Sequence, residues 1–427
     1  MSSRIPGFYR LPPSERLDAV HEARGLDEAD RDAFATGLSV DTADLMVENV
    51  ISTFALPNAV AVNFLINGED RVVPMVVEEP SVVAAVSNMA RLTRASGGFV
   101  AESEPSHMIG QIQLMNVTDP EVVRGELRAA LPMLHDIAAT VHPRLALRGG
   151  GIRSIDVRSV RYDEPGRPPE DMILVEFILD CVDAMGANMV NTVAERLAPH
   201  IEEITGHVVG LRILSNLASE RLSRARVELD PSVLGTDEMD GRMVAERIAA
   251  AWRFAWADPH RAATHNKGVM NGIDAVAIAT GNDWRAIEAG AHAWCCRDGQ
   301  YRPMTRWEVI DDRLVGSIEV PLQFGIVGGP IRVHPTVQAN LRLLGVDSAR
   351  QLASIAVSVG LAQNLGALRA LATEGIQAGH MRMHARTVAA TAGAVGPEVG
   401  LLTARLVEGR EFSVECAQSI LQAMRDA

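Results

Sequence analysis

The sequence of 427 residues contains almost no lysine. Of its 40 basic residues only Lys267 is a lysine, and all the others are arginines. Aromatic side chains make up 4% of the chain and hydrophobic residues 47%, so we expect aliphatic cores in helical or mixed α/β structure. An ammonium is a compact charge that can donate a proton, whereas a guanidinium is effectively never deprotonated. The single lysine is therefore a candidate functional residue, with a drift of composition toward arginine as the alternative explanation.

Other absences exclude whole classes of protein. No block of basic residues occurs and the formal net charge is -14, which argues against nucleic-acid binding because neutralising phosphates requires a basic surface. The four cysteines have neither zinc-site spacing nor the spacing of a secreted disulfide framework. No uninterrupted apolar stretch of about 18 residues occurs, and the first ten residues lack a signal-peptide core. We expect a soluble, cytoplasmic protein.

Hydrophobic periodicity is most informative in the second quarter of the chain. Strand and helix patterns alternate there as strand, helix, strand, strand, helix, strand over residues 109–117, 120–140, 155–162, 172–181, 187–205 and 208–214. This order predicts a ferredoxin-like βαββαβ domain, inserted as a compact unit at 109–215.

The flanking parts have mainly helical patterns. Residues 14–24 and 42–49 predict helices, and a hairpin over 59–66 and 71–77 turns at Asn67-Gly68. We predict a large, mostly helical domain formed by 1–108 and 216–374, which includes a long helix at 348–373. The last segment, 375–427, is predicted to be a mobile helical flap because Gly375 and Gly379 flank its start. The predicted fold class is α+β.

Four polar residues outside the inserted domain form a candidate proton-transfer set. Glu79 follows a strand and precedes a helix, where loops commonly present functional side chains, and it is joined by Lys267, Asp283 and His380. Glu78 and Glu79 point in opposite directions on an extended segment, so at most one of them faces a given site.

Two further motifs suggest ligand binding. Asp183-Ala184-Met185-Gly186-Ala187-Asn188 joins a strand to a helix, whose free N–H groups could hold a pyrophosphate, although Asp183 could equally be a plain N-cap. His380 and His384 are four residues apart, but no third metal ligand has suitable spacing, so we expect no metal site.

Together these motifs resemble hydroxymethylglutaryl-CoA reductase, and more closely its soluble bacterial class II form. The resemblance covers nearly the whole chain, and the motifs are specific as an ordered set rather than singly. They are Glu48-Asn49-Val50-Ile51, the run from Pro74 to Ser81, the run from Asp183 to Asn188, His265-Asn266-Lys267-Gly268, the run from Gly281 to Arg285, and Gly379-His380-Met381.

The resemblance implies an activity and four catalytic roles. The enzyme would interconvert hydroxymethylglutaryl-CoA and mevalonate plus CoA through two hydride transfers with NADH or NADPH. Lys267 would polarise the substrate oxygens, and Glu79 would act as general acid or base at the aldehyde stage. Asp283 would hold both through a shared hydrogen-bond network. His380, carried over the site by the flap, would protonate the departing thiolate.

The resemblance also implies binding residues and an assembly. The acyl part would be bound by Ser81, Arg261, Asn271 and Asn364, and the dinucleotide by Asp183, Met185, Gly186 and Asn188. The inserted domain would be the dinucleotide-binding domain. Active sites would form between two subunits of a homodimer or an assembly of dimers, and we expect the Lys267 ammonium to lie buried among acids at this interface. An NADH-preferring relative has aspartate where this chain has His142, followed by Arg144 and Arg148, so the local chemistry permits NADPH and the choice stays open.

Two hypotheses from other classes compete with the reductase. A lyase or aldolase could use Lys267 as a Schiff-base amine. A binding module could sense a small ligand through the ferredoxin-like domain without turnover, but this leaves the four-residue polar set unexplained.

Overall fold

The described residues form four separate hydrophobic clusters, of which the smallest packs Val20 and Leu26 against Val72 and Leu343. The computed structural model describes residues 2–373 and 385–426. The largest core draws on segments before and after residues 107–214, a second is built almost wholly within that range, and a small third core lies near the C-terminus. One domain is therefore inserted into another, and the predicted α+β class is confirmed.

The first part of the large domain consists of short helices, a hairpin and a longer helix. Its elements are α1 (Pro13–Arg24), α2 (Glu28–Thr36), α3 (Val40–Asp44), β1 (Asn58–Ile66), β2 (Glu69–Val76), α4 (Val82–Thr93) and β3 (Val100–Ser103). The predicted hairpin is present, and Asn67 and Gly68 both have positive φ, as a two-residue type I′ turn requires.

The predicted helix at 42–49 is wrong. The third helix is α3, which ends at Asp44, and Asn49 has a φ of 59° that is incompatible with a right-handed helix. Two apolar side chains of this segment are instead exposed, Leu45 at 82% and Val47 at 59%, and beyond it Ile51 is 95% and Phe54 89% accessible. No element of the described chain offers these side chains a surface against which a helix could pack.

The inserted domain has the predicted ferredoxin-like topology. Its elements are β4 (His107–Leu114), α5 (Pro120–Val141), α6 (Pro143–Ala146), β5 (Gly151–Tyr162), β6 (Glu170–Asp180), α7 (Ala187–Thr205) and β7 (Val209–Leu214). The four strands form one antiparallel sheet in the order β5-β6-β4-β7. Buried residues alternate along β4 because one face of the sheet is covered by α5 and α7.

The chain then returns to the large domain. The elements are β8 (Leu222–Leu229), α8 (Gly241–Ala257), α9 (Pro259–Ala279), α10 (Trp284–Trp294), β9 (Thr305–Ile310), β10 (Arg313–Pro321), α11 (Gly329–Val333), α12 (Pro335–Leu344) and α13 (Ala349–Ala372). Strands from both parts of this domain form a second antiparallel sheet in the order β3-β8-β10-β9.

Helix α13 is the centre of the large domain. Ser348 caps its N-terminus by accepting from the Gln351 N–H. The helix is apolar and long enough to cross a membrane, but most of it is buried by protein, as in the core helix of a soluble domain. Helix α9 packs so closely against it that a Cβ on Gly272 would lie 3.0 Å from the Val359 carbonyl oxygen. The two helices thus form a rigid pair.

The C-terminal segment has a core of its own. It contains α14 (described over 385–391), α15 (Pro397–Gly409) and α16 (Val414–Arg425). Small and aliphatic side chains from these helices, including Leu402 and Leu421, pack against one another. The predicted hinge glycines, Gly375 and Gly379, and the catalytic candidate His380 lie outside the described residues.

Candidate active site

The only lysine lies in the middle of α9. Asp258 caps this helix by accepting from the N–H groups of His260 and Arg261, and Pro259 occupies its first turn. The polar run around Lys267 is therefore part of a regular helix. Residues four apart share a helical face, so Lys267 and Asn271 project on the same side. Because α13 supports α9, the backbone positions from which both side chains extend are fixed.

Glu79 meets both of these side chains. It lies in the turn between β2 and α4, and its Oε2 contacts the Lys267 Nζ as an ion pair and accepts from the Asn271 Nδ2 at 3.2 Å. Its other oxygen, Oε1, accepts no hydrogen bond from the described residues. The adjacent Glu78 is exposed and forms no ion pair in the described chain. One glutamate of the two therefore faces the lysine, as the extended segment predicted.

The ion pair is open to solvent in the single chain. The Lys267 side chain is 61% exposed and that of Glu79 is 32% exposed. Residues of α9 and of the β2–α4 turn supply the contacts of this pair, and its other side is exposed. The expected burial of the ammonium among acids at a subunit interface stays a prediction.

Asp283 does not join this pair within the described chain. Its side chain caps α10 by accepting from the Ala286 N–H at 3.1 Å and lies 3.7 Å from an Arg285 nitrogen. It forms no hydrogen bond or ion pair with Lys267 or Glu79 among the described residues.

The residues expected to bind the acyl part are distributed on three elements around the pair. Arg261 is half-buried on α9, and burial lowers the pKa of its guanidinium, which has no carboxylate partner in the described chain. Ser81 has a φ of 75°, a strained conformation for a serine, two residues after Glu79. Asn364 is buried in α13, where its Oδ1 accepts from Thr305 and Trp307.

The expected dinucleotide loop lies where the two domains meet. Gly186 is the N-cap of α7 with a φ of 110°, and a Cβ there would lie 2.4 Å from the Cys181 Sγ, so only glycine fits. No side chain caps α7, which leaves its first N–H groups available to an anion. Asp183 is not the N-cap of α7; its Oδ1 accepts from the Ala349 N–H at the start of α13.

Buried Arg221 also holds this loop, and sequence reasoning missed it. Its guanidinium donates to the carbonyl oxygens of Ala184 at 3.4 Å, Met185 at 3.2 Å and Phe324. Burial lowers its pKa to about 10. Among so many arginines, nothing in the local sequence distinguishes the one that ties the loop to the large domain.

His142 lies beside the first turn of α7. Its Nε2 is 3.0 Å from the Met189 carbonyl oxygen, and since a carbonyl only accepts, Nε2 donates. Asn188 immediately precedes this residue. The structure thus brings His142 and the Gly186 turn to the same end of α7, although they are 44 positions apart in the sequence.

A cavity of about 730 Å³ lies elsewhere, over the β3-β8-β10-β9 sheet. It is lined by Trp252, Trp256 and Trp294 and contains none of the predicted catalytic residues. The open groove beside Lys267 has the candidate chemistry and the cavity does not, so we assign the site by its side chains.

A pair of carboxyl groups near the site also escaped the sequence analysis. Asp274, on α9 one turn after Asn271, faces Glu288 of α10. Burial, and then the neighbouring Glu288 carboxyl, raise the pKa of Asp274 well above its usual range. The Oδ1 of Asp274 is buried and accepts no hydrogen bond from the described residues. The raised pKa favours the protonated form of the Asp274 carboxyl in the folded protein.

This carboxyl makes stability depend on pH. A raised folded-state pKa means that the folded chain holds a proton that the unfolded chain loses, so stability falls as pH rises above about 4. Asp274→Asn cannot ionise, and we expect it to melt at least about 2 °C above the parent at pH 8 and at the same temperature near pH 4. Thermal unfolding across this range measures the difference. Asp298→Asn, an exposed change of the same kind, is the control, and an equal effect of Asp274→Asn at both pH values contradicts the assignment.

Comparisons with known proteins agree on one family. A model of the hydroxymethylglutaryl-coenzyme A reductase family matches residues 12–385. A 3-hydroxy-3-methylglutaryl-coenzyme A reductase from Archaeoglobus fulgidus is 48% identical, over 100% of this chain and 95% of the relative. A probable reductase of this kind from Borreliella burgdorferi is 33% identical, over 90% of this chain and 88% of the relative.

Solved structures give the same result. The class II 3-hydroxy-3-methylglutaryl-CoA reductase from Streptococcus pneumoniae, bound to NADPH in open conformations, superposes with a TM-score of 0.81 and is 41% identical. The match covers 97% of this chain and 100% of that one. A second structure of the Streptococcus pneumoniae enzyme has a TM-score of 0.82, with 98% and 99% of the two chains covered.

Proposed function

The chain belongs to the hydroxymethylglutaryl-coenzyme A reductase family, and on that premise we propose that Lys267, Glu79, Asp283 and His380 carry its reaction. The enzyme is an NAD(P)H-dependent oxidoreductase that interconverts hydroxymethylglutaryl-CoA and mevalonate plus CoA. The contact of Glu79 with both Lys267 and Asn271 is the observation that carries the proposal. It joins two of the four residues across 188 positions of sequence.

Lys267 stabilises the oxygen that gains charge when the thioester, and later the aldehyde, receives hydride. The nicotinamide cofactor would supply one hydride to each of the two reductions, so that two equivalents are consumed. A fixed ammonium beside the reacting oxygen lowers the energy of the developing alkoxide, and it can donate a proton to it. Glu79 holds this ammonium through Oε2 and retains Oε1 for exchange of a proton with the substrate.

Arg261 is proposed to bind the free carboxylate of the acyl part. Its support is a half-buried guanidinium without a carboxylate partner in the described chain, on the same helix as Lys267. A guanidinium forms charge-assisted bonds with carboxylates, and partial burial strengthens them. Ser81, Asn271 and Asn364 are proposed to bind the remaining polar groups of this part.

Asp283 and His380 are assigned on their motifs. Asp283 lies in Gly281-Asn282-Asp283-Trp284, and its side chain is 45% exposed at the start of α10, where it is available to groups outside its own chain. We propose that it acts beside Lys267 in the assembled enzyme. His380 is proposed to protonate the CoA thiolate after the carbon–sulfur bond breaks.

The dinucleotide is proposed to bind at the N-terminus of α7. Free N–H groups after Gly186 and the positive end of the helix dipole suit its pyrophosphate. Met185 and Asn188 lie on either side of this glycine, and Asp183 and Arg221 hold the loop against the large domain.

We also propose a cytoplasmic homodimer with active sites at the subunit interface. The openness of the Lys267 pair supports this, as do the exposed apolar side chains of Leu45, Ile51 and Phe54, which a second subunit could cover. The four cysteines are all free, as in a reducing compartment.

The Schiff-base alternative has no support. A Schiff base forms through the neutral amine, whereas the contact with Glu79 stabilises the ammonium. The relatives and solved structures compared above are reductases, not lyases.

Lys267→Arg tests the role of the ammonium directly. The variant keeps the charge but changes its shape and cannot donate a proton, so we expect kcat to fall about 10²- to 10³-fold. Oxidation of NADPH in the presence of hydroxymethylglutaryl-CoA is followed by absorbance. Arg226→Lys, an exchange of the same two residue types at an exposed position, is expected to keep normal activity. Near-normal turnover in Lys267→Arg contradicts the assigned role.

His142→Asp tests the choice of cofactor. A carboxylate beside the first turn of α7 repels the 2′-phosphate of NADPH, so we expect the ratio of kcat/KM for NADPH to that for NADH to fall about tenfold. His135→Asp makes the same change at an exposed position of α5 and is the control. An unchanged ratio in His142→Asp shows that the position does not select the cofactor.

A further inference from the structure

The amide of Asn364 is held by two donors at one atom. The side chain is 1% exposed in the middle of α13, and its Oδ1 accepts from the Thr305 Oγ1 and from the Trp307 Nε1, each at 2.8 Å. An indole N–H only donates, so the amide atom that faces Trp307 must be the oxygen. The orientation of this amide is therefore determined by its neighbours.

The direction of the hydrogen bonds continues through Thr305 to α9. Because the Thr305 hydroxyl donates to Asn364, its oxygen is free to accept from the His265 Nε2, 2.6 Å away. His265 thus has its proton on Nε2, and its buried Nδ1 accepts no bond from the described residues. Burial, and then nearby Arg261, lower the pKa of His265 to about 3, so the ring stays neutral.

The main chain at Thr305 is also fixed. Its carbonyl oxygen accepts from the Trp252 Nε1 at 2.7 Å, and Thr305 pairs with Ile318 across the β9–β10 ladder. The hydroxyl consequently has one position relative to Asn364. In contrast, the Nδ2 of Asn364 donates to none of the described residues, and only this end of the amide is left for a ligand.

We propose that Thr305, backed by His265 and Trp307, is a positioning residue that makes Asn364 present only its NH₂ group to the acyl part of the substrate. This rests on the proposed function, in which Asn364 binds that part. A donor at this place suits a carboxylate, hydroxyl or carbonyl oxygen. Loss of the Thr305 hydroxyl removes one of the two bonds that hold the amide, so the donor no longer has a fixed direction.

Thr305→Val tests the proposal because valine has nearly the same shape and no hydroxyl. We expect the KM for hydroxymethylglutaryl-CoA to rise about tenfold, the KM for NADPH to stay within about twofold, and kcat to change less than about threefold. Thr305→Ser retains the hydroxyl and is expected to restore the parent KM. An unchanged KM in Thr305→Val, or an equal rise for both substrates, overturns the proposal.

A double-mutant cycle with Asn364→Ala separates positioning from general damage. If Thr305 acts through Asn364, Thr305→Val has no further effect on KM in the Asn364→Ala background. The proposal is overturned if the effects of the two substitutions on KM are fully additive. It is also overturned if Thr305→Val raises KM while Asn364→Ala leaves it normal. Should the valine variant not fold, Thr305→Ala replaces it with the same expectation. Failure of the proposed function can be distinguished from failure of this inference, because in that case the parent enzyme itself does not reduce hydroxymethylglutaryl-CoA.

Discussion

The site depends on one ion pair, that of Lys267 with Glu79. It connects the turn after β2 to the middle of α9, and Asn271 donates to the same carboxylate oxygen, so both donors come from one helical face. Since α9 packs closely on α13, the ammonium has a rigid support. A reaction that repeatedly places negative charge on a carbonyl oxygen needs such a fixed cation, because a mobile one would have to be reorganised at every hydride transfer.

The second constraint is the junction between the two domains. In the proposed function the hydride donor is bound by the inserted domain and the acceptor by the large domain, so the loop before α7 must keep its place relative to α9. Arg221 and Asp183 provide this by bonding the loop to Phe324 and to the start of α13. Asn364, on the same central helix, is oriented from β9. Helix α13 therefore links the loop proposed to bind the dinucleotide to Asn364, which is proposed to bind the acyl part.

Much of the fold could be predicted from the sequence. In the small domain the hydrophobic residues recur with the strand period of 2 and the helix period of 3.6 in alternating segments, which clear turn signals separate. The catalytic candidates were recognisable as motifs, and the Lys267–Glu79 contact agrees with them. The predicted burial of Lys267 at a subunit interface stays a prediction, since its exposure depends on elements that the motif does not contain. Arg221 and Thr305 were missed for a similar reason: each acts by hydrogen bonds to residues at least 36 positions away, which leave no local pattern.

The single lysine permits a direct measurement of the central contact. In protein labelled with ¹⁵Nζ-lysine, one side-chain signal is expected, and it reports on the carboxylate that Lys267 contacts. Glu79→Gln removes the charge of this partner, whereas Glu78→Gln makes the same change at the neighbouring exposed residue. We predict that the Nζ signal moves in Glu79→Gln and stays in place in Glu78→Gln. A signal that is unchanged in both variants, or that moves equally in both, would contradict the account.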